Sequence, residues 1–220
     1  MQLKSWPKRF AEIEKAGKSK LAIVVTAGIL SLVSFVQLDW SVQRLLFIPV
    51  FITALYILPV FKGKRLRDVA YIKIFVLAAV WSWLTVIIPV KFLQLPVDNV
   101  IIILFTERVF FIFAITIPFD IRDIHTDRST RLVTLITKLG MDYSKYLAIA
   151  FLILALILDS YLMKVEFITI YTLLGFIITY TICISLILRS SPQRDDQYFT
   201  GWIDGTMILL LFLIIVLNLC

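Results

Sequence analysis

The sequence predicts an all-α, polytopic membrane protein, a single bundle of about seven transmembrane helices, and three observations predict it. Hydrophobic residues fill 60% of the 220 positions and charged residues only 17%, with a mean hydropathy of +0.96. A soluble domain carries about 45–50% apolar and about 25% charged residues, so a single water-soluble globule is excluded. Seven apolar runs reach, or nearly reach, the length of about 20 residues that spans a bilayer as a helix. Lys and Arg gather in alternate connections, as the positive-inside bias requires. Strict apolar–polar alternation is absent, which disfavours a membrane β-barrel.

The elements follow in order. Residues 1–20 hold six Lys and Arg with Trp6, Phe10 and Ile13, and read as a basic cytoplasmic flank. A helix lying on the inner membrane surface is the alternative reading. No small-residue cleavage site follows, so the segment is not read as a signal peptide. The apolar runs are 21–38, 45–61, 71–90, 100–119, 146–158, 167–188 and 199–219. The second and fifth are short and must borrow flanking residues or tilt little. Pro59, Pro89 and Pro118 stand near span ends, where they are expected to stop or kink a helix. The whole chain, 1–220, reads as one membrane domain without repeat or linker.

The connections set the topology. Segments 1–20, 62–70, 120–145 and 189–198 contain 17 Lys and Arg, whereas the alternate connections contain only Arg44, Lys91 and Lys164. This puts the N-terminus in the cytoplasm and the C-terminus outside the cell membrane. It also accounts for the net charge of +7 without a nucleic-acid partner. Cys183 and Cys220 lie far apart in apolar surroundings with no metal or thiol motif, and read as packing residues.

The stretch that carries chemistry follows the fourth run. On a helix, Asp120, Asp123 and Asp127 fall at i, i+3 and i+7 and share one face. Carboxylates so close disfavour joint ionisation unless a cation sits among them. Mg²⁺ suits such a site, because it takes carboxylate oxygens and keeps room for phosphate. A Mg²⁺-bridged diphosphate is the natural ligand, with Arg122, Arg128 and Arg131 near enough to hold further phosphate oxygens. The alternative is a solvated turn laced with weak ion pairs. His125 points away from the carboxylate face and reads as an exposed loop residue.

At these residues the chain resembles the UbiA superfamily of membrane prenyltransferases. Residues 120–127 are similar to the family's second Asp-rich motif, and the continuation through Leu132, Thr134 and Leu135 to Leu139-Gly140 keeps its spacing. Upstream, Tyr56 with Lys62, Lys64 and Arg65 looks like the family's Tyr…Lys-Arg signature. The resemblance covers Tyr56 to about Gly140. Arg131 stands where the family usually has Gly, and the first Asp-rich motif has no counterpart. With seven spans against the family's nine, the chain is expected to correspond to that fold without its first two helices.

The resemblance implies prenyl transfer from a polyprenyl diphosphate to a lipophilic acceptor, an aromatic ring or an alcohol, with Mg²⁺ as cofactor. It assigns Asp120, Asp123 and Asp127 to catalysis and metal binding, and Arg122, Arg128, Lys62 and Arg65 to the diphosphate. Tyr56 and Asp204 become candidates for the same cavity. The alternative is a non-catalytic protein of the same fold serving as a scaffold or assembly partner. Lys73, Glu107, Arg108 and Asp204 are charged residues inside apolar runs. Lys73 is expected to reach outward to the membrane surface. Glu107 and Arg108 are expected to act as polar contacts between helices; for Asp204 that role and a place in the cavity stand level.

Overall fold

The computed structural model describes residues 18–58, 72–129 and 133–219. All regular structure among them is helical, and the chain forms two compact units, Met1–Arg44 and Leu45–Cys220.

In the first unit, α1 (Lys18–Gln37) is apolar on every face beyond its first turn and exposed along its length, the pattern of a helix solvated by lipid. Its last carbonyls lack intrahelical partners. The Gln43 side-chain amide supplies them, donating to Phe35 O at 3.0 Å and Leu38 O at 2.9 Å. Gln43 belongs to α2 (Trp40–Ile57), which continues into the second unit.

In the second unit, α3 (Ile72–Phe92) carries a π-helical turn at Trp83–Ile87. α4 (Asn99–Ser129) is followed by the short α5 (Leu135–Leu139), then α6 (Met141–Lys164), α7 (Ile170–Arg189) and α8 (Tyr198–Leu219). Among the described residues six helices are long and apolar enough to cross a membrane, and Leu21–Gln37 is a further, shorter apolar helix. The second and fifth expected spans do borrow from their flanks. α2 takes in Arg44, and α6 runs well beyond 146–158 at both ends.

α4 is the central element, packed against α3 and α6 and the most buried of the candidate spans. Of the stop or kink expected near Pro118, the stop does not occur: the helix continues for eleven residues past it. Pro49 also lies inside a helix. A proline there leaves the carbonyl four residues back without its donor. That carbonyl is Leu45 O, and the Trp83 indole N–H donates to it at 3.1 Å from the π-turn of α3.

α6 faces the core through Ser144, Ala148, Leu152, Ala155, Asp159 and Leu162, spaced at three and four residues on one helical stripe. Five of these suit the interior by size or polarity; Asp159 is the exception. Phe75 of α3, Phe113 of α4 and Phe151 of α6 stack in sequence, with centroids 4.9 and 4.3 Å apart, and form an aromatic layer across three helices. α7 and α8 are clasped at one end. Thr169 donates to the Asn218 carbonyl oxygen at 2.6 Å, and the Asn218 amide donates to Thr172 Oγ1 at 3.0 Å.

Candidate functional site

Because α4 stays helical past Pro118, Asp120, Asp123 and Asp127 sit on a helix and not in a solvated turn. Asp120 is 1% exposed and Asp127 7%; Asp123 is half-buried. Buried carboxylates require compensating partners. Lys73, at the start of α3, provides the first: its Nζ donates to Asp120 Oδ1 at 2.7 Å and lies 4.0 Å from Asp123 Oδ2. Asp127 and Tyr56 are also within electrostatic reach of Lys73. The expectation that Lys73 extends to the membrane surface is therefore corrected. Its ammonium turns to α4, where a charge-assisted bond is available.

Arg122 provides the second cation. Its Nε donates to Asp123 Oδ1 at 2.9 Å, and its Nη1 reaches Asp196 Oδ1, in the turn before α8, at 3.4 Å. The guanidinium lies 5.3 Å from the Phe119 ring centroid and 5.6 Å from that of Phe199. Stacking of this kind holds a planar guanidinium in place, and no ammonium would reproduce it. Asp204, half-buried at the end of the π-turn that opens α8, is within electrostatic reach of Arg122. Asp120, Lys73, Asp123, Arg122 and Asp196 thus form a chain of alternating charge across α3, α4 and the approach to α8. Tyr56 approaches it at Lys73 and Asp204 at Arg122.

Lys62 and Arg65 lie outside the described residues, as does the side chain of Arg128. His125 is exposed, though on α4 and not in a loop.

The carboxylates have the oxygen chemistry that Mg²⁺ prefers. Their arrangement does not fit a resident metal. Among the described residues no three His, Cys, Asp or Glu groups converge closely enough to hold an ion. Asp120 and Asp123 are instead bonded to Lys73 and Arg122. An open apolar hollow of about 580 Å³ is lined by Phe47, Ile48, Val50, Phe51, Ile52 and Ala54 of α2, none of which belongs to the charged chain.

A second ionisable group lies deeper on α4. Glu107 is fully buried and accepts a hydrogen bond from Tyr180 Oη of α7 at 2.6 Å. Arg108 Nη2 lies 3.6 Å from Glu107 Oε2, with its guanidinium between the rings of Phe111 and Phe176. Glu107 and Arg108 do join helices, as expected. Asp159, fully buried on α6, completes the group; it lies just past the apolar run 146–158, where sequence alone gives no sign of burial. Sequence alone gives no sign of the partner of Lys73 either, since it stands 47 residues away.

No protein-family model matches the chain, and no curated protein matches it by sequence. A solved structure concerned with a digeranylgeranylglyceryl phosphate synthase in membranes does match, at a TM-score of 0.60 and 19% identity, over 90% of this chain and 68% of that one. The chain therefore shares the fold of that membrane protein, at low sequence identity.

Proposed function

We propose that this protein is a UbiA-like prenyltransferase that moves a polyprenyl group from its diphosphate to a lipophilic acceptor, an aromatic ring or an alcohol, at the cytoplasmic face of the cell membrane. The single observation that carries this reading is the charged chain of Asp120, Lys73, Asp123 and Arg122 on α3 and α4. The likeness in fold to a digeranylgeranylglyceryl phosphate synthase supports it.

In this reading the diphosphate takes carboxylate-bound cations as its partners. Lys73 and Arg122 exchange part of their bonding to Asp120 and Asp123 for phosphate oxygens. Lys62, Arg65 and Arg128 add charge from the adjoining segments. The bond from the prenyl C1 to the diphosphate oxygen breaks with its electron pair leaving on oxygen, the acceptor forms the new bond to C1, and the proton the acceptor sheds passes to the departing diphosphate. Fixed cations beside the leaving group stabilise the charge that develops there. Asp120, Asp123 and Asp127 hold those cations in place and are the catalytic carboxylates of the proposal. Magnesium, which the resemblance implies, would neutralise diphosphate charge if bound, beside the oxygens of Asp120, Asp123 and Asp127. Tyr56 and Asp204 border the site through Lys73 and Arg122.

The experiment is binding and turnover of a radiolabelled polyprenyl diphosphate by the purified chain in lipid nanodiscs, with and without Mg²⁺. Asp120→Ala and Asp123→Ala are each expected to weaken Mg²⁺-dependent diphosphate binding by about tenfold or more, because Lys73 and Arg122 lose the carboxylates that hold them in position, each by a charge-assisted bond. Unchanged binding in both variants rejects the proposal.

The second reading is a non-catalytic protein of the same fold, serving as a scaffold. It draws support from Asp120 and Asp123 being already paired. Mg²⁺-dependent prenyl transfer by the purified chain rules it out.

A further inference from the structure

The buried group on α4, α6 and α7 has a charge that does not close. Glu107 and Asp159 are both 0% exposed. The cation beside them is Arg108, within electrostatic reach of both. Tyr180 has a single hydroxyl proton and donates it to Glu107 Oε1, so it has none to give Asp159. Both Asp159 oxygens and Glu107 Oε2 are buried without a hydrogen-bond partner. With both carboxylates ionised, the group carries one uncompensated negative charge in the interior of a membrane bundle, which is strongly unfavourable.

Among the described residues the other cations of α6 and α7 lie toward helix ends, Lys145 and Lys164 on α6 and Arg189 on α7, and the helices around them add no further counter-charge at this depth. In α3 the only titratable side chains described are Lys73 and Lys91, one at each end, and the segment Gly205–Leu219 of α8 contains none. What does lie at this depth is oxygen. The Phe75–Phe113 stacking puts Ser82 of α3 level with Glu107 in the antiparallel register, and Thr179 adjoins Tyr180. Ser82 Oγ and Thr179 Oγ1 are also buried without a hydrogen-bond partner. The layer therefore combines one excess negative charge with a set of unengaged oxygen acceptors. A divalent ion would overcompensate the charge, and an anion would find only Arg108.

We propose that this layer binds one exchangeable monovalent cation, a proton or a sodium ion, between Asp159 and Glu107. The site is distinct from the Asp120 cluster. Thirteen residues separate Glu107 from Asp120 on one helix, about 20 Å of axial rise. The proposal is independent of prenyl transfer, and its test does not use activity.

The test measures thermal unfolding of the purified full-length protein in nanodiscs, comparing wild type with Asp159→Asn. One arm exchanges sodium chloride for choline chloride at constant ionic strength and alkaline pH. The other moves from alkaline to acid pH in choline chloride. The expected result is a saturable rise of the wild-type midpoint in at least one arm, lost in Asp159→Asn, whose neutral amide removes the excess charge. A rise with sodium identifies the alkali ion, and a rise only with acid identifies the proton. A wild-type midpoint insensitive to both, or a response that Asp159→Asn retains in full, overturns the proposal. Should Asp159→Asn fail to fold, Glu107→Gln replaces it under the same criteria. Infrared spectroscopy of the wild type then reports directly whether a buried carboxyl gains its proton in exchange for sodium.

Discussion

At the scale of single residues, the molecule relies on polar atoms that serve a partner far away in sequence. Trp83 is the clearest case. Pro49 leaves Leu45 O without an amide donor, and the Trp83 indole fills the vacancy from another helix. An unsatisfied carbonyl inside a bilayer is costly, so this bond is expected to matter more than its length suggests. Trp83→Phe should destabilise the protein by about 1 kcal/mol. In a Pro49→Ala background the same change should cost much less, because the restored backbone N–H at position 49 takes the carbonyl back. A double-mutant cycle on unfolding midpoints measures the difference; equal costs in both backgrounds would mean the two positions are not coupled. Asp120 and Asp123 belong at this scale as well, since each is expected to lose diphosphate affinity on truncation. Residue pairs of this kind were not legible beforehand. The spacing of Asp120, Asp123 and Asp127 announced a shared face, but nothing local to Lys73 says that it meets Asp120. Only the packing of α3 on α4 brings those two positions together.

At the scale of elements, apolar length gave the helices but not their ends. The fifth run was cut at 158 because Asp159 is charged, yet the helix continues to Lys164 with Asp159 facing inward. A charge ends a span only when its helix neighbours offer nothing to it, and here α4 offers the Arg108 guanidinium. Proline chemistry predicts a stop or a kink near Pro118, and the stop does not occur. The junction of α5 and α6 turns on Gly140. That residue adopts φ +86° and ψ 166°, a conformation open in practice only to glycine. A Cβ there meets no neighbour within 4 Å, so the constraint is backbone strain and not space. Gly140→Ala is therefore expected to destabilise the protein by about 1–3 kcal/mol, seen as a lower unfolding midpoint. An unchanged midpoint would show that the turn can relax.

At the scale of the whole molecule, composition alone announced a helical membrane protein, and the arrangement of Lys and Arg gives an orientation that can be tested. With Lys164→Cys and Lys138→Cys introduced singly into a background lacking Cys183 and Cys220, a membrane-impermeant maleimide should label position 164 in intact cells. Position 138 should react only after lysis. The reverse pattern would invert the proposed topology and move the Asp120 cluster to the other face. Both positions are exposed, so failure to react would not be due to burial.

The aromatic layer of Phe75, Phe113 and Phe151 has a mechanical consequence. Rings keyed between three helices act as a pin through a stack of rods. Sliding α4 by one turn would unseat both of its ring contacts at once, so the layer resists shear of α4 more than it resists a small rotation about Phe113. Phe113 stands between Glu107 and Asp120 on α4, so a rotation of the helix about that ring would carry the buried layer and the charged chain in opposite directions.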